Sequence, residues 1–334
     1  MRLNNIQMLR GVASILVVMH HILPHYIVMG GGVYIITFIS TWGFLGVDIF
    51  FVISGFIMAF TTFNKPRDIK SAKIFIWHRL ARVYLAYWMF LAMGLAVIII
   101  AIPSKIDSLN LLGSFLLTEL DMKSLVLPIS WSLSYELYFY LLFTISFFLS
   151  IRLLKVFSVA IFLIILVLVL FINNPSFFYS NFLLEFFSGV ILYSYIDRVK
   201  KLWLLPILII IASTAYWFGV EYELRNGLYR ILSFGVGALT VVWIFLILEQ
   251  EKIYQAGKFL VKLGDASYTI YLSHLIIIWS LYFIGFRDIF SLKGELISFI
   301  GWILMLLIIT IFSLIFYKKV EKPIYKMAIS KVKI

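Results

Sequence analysis

The chain has 334 residues, of which 63% are hydrophobic and only 13% are charged, a composition far from that of an ordinary soluble domain. It contains no cysteine, which excludes disulfides and thiolate chemistry. The formal net charge of +12 would be compatible with nucleic-acid binding, but the basic residues flank apolar runs and form no nucleic-acid pattern. We interpret them mostly as determinants of membrane topology that face anionic lipid.

Apolar runs of about 20 residues recur along the whole chain, which is the pattern of transmembrane helices. We predict an all-α, polytopic membrane bundle that forms one integral-membrane domain over 1–334, with a basic cytoplasmic tail over 318–334. The ten predicted spans are 6–26, 43–62, 83–102, 131–149, 157–172, 182–196, 202–219, 228–248, 267–285 and 296–317.

The positions of the lysines and arginines predict the orientation. With the N-terminus in the cytoplasm, most of the 28 Lys and Arg residues fall on the inner side, as the positive-inside rule requires. Both termini are therefore predicted to be cytoplasmic. The longest outer connection, 103–130, includes "SLNLLGSFLLTEL", a candidate interfacial helix, and the tail "KKVEKPIYKMAISKVKI" is typical of a basic amphipathic helix on the inner surface.

Three of the 16 acidic residues fall within predicted spans, namely Asp48, Glu136 and Glu185. An ionisable residue at membrane depth is a functional hypothesis, and the alternative is a structural ion pair or a group buried in its neutral form. We favour function for Asp48 and Glu136. For Glu185, close to the outer end of its span, we favour the structural interpretation.

The stretch "MLRGVASILVVMHHILPHY" carries an arginine near one end and three histidines near the other. Arg10 and His21 are eleven residues apart, about three helical turns and about 16 Å, so they share one helix face. His21 then reaches a depth similar to that of the carboxylates in the spans. Neutral histidine can act as a general base near pH 7, although a single buried histidine is more often structural. His20 faces about 100° away, and His25 follows Pro24 toward the outer interface.

The stretch "FIWHRLARVYLAYW" places Arg79 and Arg82 at positions i and i+3, on one side of a helix start. Two interpretations remain open. The pair is either an ordinary basic flank of a span or a clamp for phosphate, whose geometry arginine matches with two hydrogen bonds.

Two further stretches, "WSLSYELYFY" and "SYTIYLSHL", combine aromatic, hydroxyl and ionisable side chains. Aromatic belts at membrane interfaces explain tryptophan and tyrosine at span ends. They do not explain His274, about seven residues into its span. The candidates in these stretches are Trp131, Ser132, Glu136, Tyr138, Ser267, Tyr271 and His274.

In this order, these stretches resemble the motifs of the integral-membrane acyltransferase-3 family of bacterial sugar and polysaccharide O-acetyltransferases. Arg10 and His21 match its arginine, ten residues, histidine signature, and "GVDIFFVISGFIM" resembles its second-helix motif. "RLARVYLAYW" resembles its paired-arginine motif, with Leu85 where proline is usual. "WSLSYELYFY", "LGDASYTIYLSHL" and "VEKPIYK" are similar to its later motifs, and "NIQMLRG" is similar to the exopolysaccharide-acetylating subgroup.

The resemblance implies an O-acetyltransferase of the bacterial cytoplasmic (inner) membrane. Its donor substrate would be cytoplasmic acetyl-CoA or another short acyl-CoA. Its acceptor would be a hydroxyl of a cell-surface polysaccharide, such as exopolysaccharide or O-antigen, or of a lipid-linked sugar. Membrane lipid is the remaining partner, and neither a metal nor nucleic acid is expected.

The resemblance also implies roles for individual side chains. His21 would be the general base, with Asp48 or Glu136 holding its tautomer. The implied sites are a catalytic group of His21, Asp48, Glu136 and Arg10, a donor group of Arg79, Arg82, Tyr271 and His274, and an acceptor group of Trp131, Ser132 and Tyr138.

Other functions compete with this prediction. Acids and histidines in a membrane could form a proton relay in a transporter or in a flippase for a glycan precursor. Against this stands the absence of a detectable sequence repeat of the kind that many transporters carry. A glycan polymerase or ligase is weaker still, because those enzymes commonly present a large outer loop.

Overall fold

The computed structural model describes residues 3–172, 176–196, 201–224, 227–291 and 294–330. Within these ranges the regular structure is helical, and the one β-type pairing is an isolated bridge between Ser176 and Tyr179. The predicted all-α class is therefore confirmed. The α-helices are α1 Asn4–Val28, α2 Tyr34–Thr41, α3 Gly46–Thr62, α4 Ile69–Ala101, α5 Leu111–Leu116, α6 Trp131–Thr144, α7 Ile151–Phe171, α8 Asn181–Ser194, α9 Leu205–Glu221, α10 Gly227–Arg230, α11 Val236–Gln250, α12 Lys258–Asp265, α13 Ser267–Phe283, α14 Phe286–Phe290, α15 Glu295–Phe316 and α16 Lys322–Ser330.

Seven helical stretches among the described residues are long and apolar enough to cross a membrane. They are Asn4–Val28, Gly43–Thr62, Ile69–Ala101, Ile151–Phe171, Leu202–Glu221, Ile231–Gln250 and Glu295–Ser330. These stretches bear out a multi-span membrane protein, and each coincides with a predicted span.

The remaining three predicted spans coincide with shorter or bent helices. The 14 residues of α6 and the 14 of α8 cover about 21 Å at 1.5 Å per residue, less than the hydrocarbon core of about 30 Å. The third, α13, follows α12 across a bend of 66°, and the two would make an eighth span if they crossed together. The number of about ten spans and the cytoplasmic termini therefore stay predictions.

The chain forms two compact units, each assembled from separated segments. The first unit contains 1–13, 45–76 and 138–264, and the second unit contains 14–44, 77–137 and 265–334.

In the first unit, two glycines let α3 and α8 pack with their backbones in contact. A Cβ atom on Gly55 would lie 1.8 Å from the Phe186 carbonyl oxygen, and one on Gly189 would lie 2.1 Å from the Val52 carbonyl oxygen. No side chain fits at such distances, so glycine is required at both positions. The position of Asp48, in the first turn of α3, depends on this packing.

Replacing Gly189 with alanine is expected to lower the thermal unfolding midpoint of the detergent-solubilised protein, because the new methyl group meets the backbone of α3. Overpacking of this kind costs about 1–3 kcal/mol. Gly257→Ala is the matched control, since a Cβ atom there meets nothing within 4 Å. Tryptophan fluorescence during heating measures both variants, and equal midpoints would contradict the packing argument.

In the second unit, hydrogen bonds hold α13 against its neighbours. The Tyr268 hydroxyl donates to the Val83 carbonyl oxygen on α4 at 2.9 Å, and Thr269 donates to the Glu321 carboxylate. Ser273 lies 2.9 Å from Ser313 on α15. The helix that carries Tyr271 and His274 is thereby held in one position.

The predicted interfacial helix is only six residues long, α5. Three side chains of α4 donate to its last carbonyl groups: Tyr84 to Leu116 at 2.9 Å, Tyr87 to Ser114 at 2.6 Å and Trp88 to Phe115 at 3.1 Å. These bonds satisfy carbonyls that a helix end leaves without partners. The structure thus ties this segment to α4, and its place at an interface stays a prediction.

The basic tail is helical as predicted. It continues α15 through a π-helical turn, Tyr317–Glu321, into α16. Residues 331–334, the end of the predicted tail, lie outside the described residues.

Candidate active site

His21 and His274 lie side by side in the second unit. His21 Nδ1 is 3.3 Å from His274 Nε2, and the ring centroids are 4.9 Å apart. His274 is completely buried, whereas His21 is only partly buried. The pair therefore has one enclosed member and one member with an accessible edge.

Backbone carbonyl groups orient both rings. His21 Nδ1 lies 2.9 Å from the Val17 carbonyl oxygen, and His274 Nδ1 lies 2.7 Å from the Tyr271 carbonyl oxygen. A carbonyl oxygen can only accept, so each Nδ1 carries the hydrogen and each neutral ring has its lone pair on Nε2. The His21 Nδ1–H is thus shared between Val17 and the lone pair of His274. Among the described residues, none hydrogen-bonds to His21 Nε2.

The other two histidines of α1 have different neighbours. His20 Nδ1 lies 3.0 Å from the Ser40 carbonyl oxygen, and the His25 ring packs edge-on against Tyr282 at 6.0 Å. Among the described residues, His21 alone of the three contacts a histidine on another helix. A catalytic role for His21 stays a prediction.

A hydroxyl network connects α13 to the start of α6. The Tyr271 hydroxyl lies 2.8 Å from Ser132 Oγ and donates to the Ile129 carbonyl oxygen at 2.9 Å. Glu136 lies one turn after Ser132 on α6. Because Tyr271 precedes His274 by one turn, this network fixes the part of α13 that carries the buried histidine.

Trp131, the first residue of α6, is half-buried and packs edge-on against Tyr135 at 5.9 Å. The sequence motif that contains Trp131, Ser132 and Glu136 therefore lies on one helix start in the second unit, as predicted. Whether these side chains bind an acceptor stays a prediction.

Arg79 and Arg82 are half-buried on α4, also in the second unit. Arg82 lines a pocket of about 100 Å³ between α4 and the tail. The other lining residues are Ala81, Leu85, Ala86, Met89, Asp265, Tyr317, Glu321, Lys322 and Tyr325. A second basic group, Lys322, thus faces the same pocket. Phosphate binding by this pocket stays a prediction.

Replacing Arg82 with glutamine is expected to raise the KM for acetyl-CoA about ten- to a hundredfold with little change in kcat, because a hydrogen bond to a charged group contributes about 1.5–3 kcal/mol. Acetyl-pantetheine, which lacks the nucleotide phosphates, should show no such loss. Lys73→Gln, at an exposed position of the same helix, is the matched control. An unchanged KM would favour the alternative that Arg82 is only a basic flank.

Three predicted site residues lie in the first unit instead: Arg10, Asp48 and Tyr138. Arg10 Nη1 is 3.4 Å from Gln7 Oε1 on the preceding turn of α1. The Tyr138 hydroxyl donates to the Phe178 carbonyl oxygen at 3.5 Å, and its ring packs on Phe177 at 5.2 Å. The roles implied for Arg10 and Tyr138 stay predictions.

Asp48 is completely buried and paired with an arginine. Arg230 Nη2 lies 2.8 Å from Oδ1 and 2.7 Å from Oδ2 of Asp48. In the structure, Val17 and His274 contact His21 Nδ1, and the role implied for Asp48 or Glu136 stays a prediction.

Arg230 was not predicted as a partner, because its position at a span end is typical of a basic flank. Nothing in the local sequence marks the pairing, since Asp48 and Arg230 are 182 residues apart. One feature of the sequence could have indicated the pairing. A buried aspartate in a span requires a cation, and few lysines or arginines border the spans on the predicted outer side.

The fold is that of a multi-span, all-helical membrane protein. Its helices carry buried ionisable groups, among them the His21–His274 pair. A family model described as an acyltransferase domain, acyltransferase 3, matches residues 3–318. The chain belongs to this family, so it is a membrane acyltransferase, and the resemblance seen in its motifs is confirmed. No curated protein and no solved structure matches the chain. The exopolysaccharide-acetylating subgroup stays a prediction.

Proposed function

We propose that this acyltransferase moves an acetyl or other short acyl group from cytoplasmic acyl-CoA to a hydroxyl of a cell-surface or lipid-linked glycan. The observation that carries the proposal is the His21–His274 pair, 3.3 Å between Nδ1 and Nε2, with both rings held by carbonyl oxygens. Such a pair provides a general base whose tautomer is set before substrate binds.

His21 is the catalytic base in this proposal. Its Nε2 takes the proton of the acceptor hydroxyl while that oxygen attacks the thioester carbonyl carbon. The carbon–sulfur bond then breaks, and the proton passes from His21 Nε2 to the leaving thiolate. The products are the O-acyl glycan and free CoA, so one proton is moved and none is consumed.

His274 is a positioning residue in this proposal. Its Nε2 lone pair and the Val17 carbonyl oxygen accept from the His21 Nδ1–H. They stabilise the imidazolium that forms when Nε2 takes a proton, which is the task of the acid in a Ser-His-Asp arrangement. The Tyr271 hydroxyl holds α13 against the start of α6 through its contacts with Ser132 and Ile129. The donor contacts implied for Tyr271 and His274 stay predictions.

Arg79 and Arg82 bind the phosphates of the donor in this proposal, because arginine matches phosphate geometry with two hydrogen bonds. Arg82 lines a pocket that also contains Lys322, Asp265 and Glu321. The start of α6, with Trp131, Ser132 and Glu136, orients the acceptor sugar. The catalytic role implied for Arg10 and the acceptor-binding role implied for Tyr138 remain predictions.

The proposed location is the bacterial cytoplasmic membrane, with about ten spans and both termini in the cytoplasm. This orientation places the basic tail and α4 start on the side where acyl-CoA is available. It rests on the distribution of lysine and arginine.

The acceptor and the acyl group are tested together by NMR of the cell-surface polysaccharide from strains with and without the gene. The proposal expects O-acyl signals, most simply O-acetyl, that disappear with the gene and return when it is restored. Identical spectra from the two strains would contradict a surface-glycan acceptor.

A further inference from the structure

A second cluster of buried ionisable groups lies in the first unit, formed by Asp48, Glu185 and Arg230. Asp48 is in the first turn of α3, Glu185 is on α8, and Arg230 ends α10 immediately before a π-helical segment, Ile231–Gly235. The exposed fractions are 0% for Asp48 and 2% for Glu185. The proposed acyl transfer does not use Glu185 or Arg230.

The cluster contains two carboxyl groups and one guanidinium. Arg230 Nη2 contacts both oxygens of Asp48, at 2.8 and 2.7 Å, and the guanidinium also lies over the Phe182 ring at 5.3 Å. One guanidinium neutralises one carboxylate. A second ionised carboxylate would therefore leave a net negative charge in a buried site.

Glu185 is that second carboxyl group. Both of its oxygens are buried, and neither has a hydrogen-bond donor among the described residues. The Asp48 carboxyl group interacts with it, but two carboxylates have only acceptors to offer each other. A single proton on one of them supplies the missing donor and removes the excess charge.

In the part of the chain that the structure describes, the other neighbours of Glu185 donate no hydrogen bond to its carboxyl group. Gly235 of the π-helical segment packs against its side chain, where an added Cβ atom would lie 3.4 Å from Oε1. Tyr216 on α9 is a further titratable group that both carboxyl groups affect electrostatically, but neither Glu185 oxygen accepts a hydrogen bond from it. Among the described residues, no group of three or more His, Cys, Asp or Glu side chains is arranged to hold a metal ion.

We propose that Asp48 and Glu185 bind one proton between them, so that they and Arg230 form a buried proton-binding site that joins α3, α8 and the π-helical segment. The bound proton sits in an O–H···O contact between the two carboxyl groups. Losing it would leave two carboxylates facing each other beside one guanidinium, at the helix pair whose backbones are in contact through Gly55 and Gly189.

A proton held in this site makes stability depend on pH. In the unfolded chain both carboxyl groups are ionised near neutral pH, so the folded protein binds one more proton and unfolding releases it. The unfolding equilibrium constant then rises about tenfold for each unit of pH from this site alone. Stability is therefore expected to fall as pH rises through the neutral range.

Glu185→Gln tests the site because the amide is neutral at every pH and its N–H can donate to Asp48. Equilibrium unfolding of the full chain in mixed micelles of dodecyl maltoside and SDS, followed by tryptophan fluorescence between about pH 5.5 and 8.5, gives the slope with pH. In the variant, the unfolding equilibrium constant should no longer show the rise of about tenfold per pH unit that this site contributes. The variant should also be more stable than wild type at the alkaline end of the pH range. Glu221→Gln, at an exposed position of the same unit, should keep the wild-type slope.

Asp48→Asn provides a second route to the same result. Arg230 would then face a single carboxylate, Glu185, and the site would need no proton, so the slope should again fall by one proton. If Glu185→Gln or Asp48→Asn keeps the wild-type slope, the proposal is overturned. The dependence of stability on pH is measured without acyl transfer. A failure of this proposal is therefore distinguishable from a failure of the proposed function.

Discussion

Replacing His21 with glutamine is expected to abolish acyl transfer, with a loss of about 100- to 10,000-fold in kcat, the range that a positioned general base contributes. Glutamine keeps a polar side chain of similar length, but its amide cannot take the hydroxyl proton near neutral pH. The measurement is the initial rate of acetyl transfer from acetyl-CoA by purified protein, with the amount of folded protein fixed by gel filtration.

His20→Gln is the matched control for this experiment. His20 is the adjacent residue on α1, and its ring contacts the Ser40 carbonyl oxygen at 3.0 Å instead of His274. This variant should keep most of the activity. Equal rates in wild type and folded His21→Gln would remove His21 from the mechanism.

Replacing His274 with leucine is expected to lower kcat about ten- to a hundredfold while leaving the KM for acetyl-CoA nearly unchanged. The hydrogen bond that His274 Nε2 accepts strengthens only when His21 becomes an imidazolium, and bonds to charged groups contribute about 1.5–3 kcal/mol. Steady-state kinetics separates the two parameters.

His274→Gln distinguishes positioning from simple packing. Its side-chain oxygen can accept from the His21 Nδ1–H, so this variant should recover part of the kcat that leucine loses. A leucine variant as active as wild type, or one that loses KM instead of kcat, would contradict the positioning role and favour the donor-binding role predicted from the sequence.

The fold class and most of its spans could be predicted because long runs of apolar residues with almost no charge are typical of helices that cross a membrane. Seven of the predicted spans coincide with helices of sufficient length. The exceptions have physical reasons. Glu136 and the hydroxyl groups of α6 dilute an otherwise apolar run, and the bend of 66° between α12 and α13 cannot be read from composition.

The candidate site was predictable only in part. The motifs identified His21 and His274 separately, and the continuous helices α1 and α13 carry them as expected. Their contact depends on the packing of segments 253 residues apart, which no local pattern encodes. The pairing of Asp48 with Arg230 could not be predicted for the same reason, because the two residues are 182 positions apart. In contrast, Glu185 was interpreted as structural from its depth alone, and that interpretation stays a prediction.

The most direct test of acyl transfer to a glycan uses purified protein in proteoliposomes, [acetyl-14C]-CoA on one side, and surface polysaccharide from a strain that lacks the gene on the other. Label is expected to enter the polysaccharide with wild-type protein and to stay out of it with His21→Gln. Movement of a glycan or its precursor across the membrane with no transfer of label would contradict acyl transfer and favour a transporter.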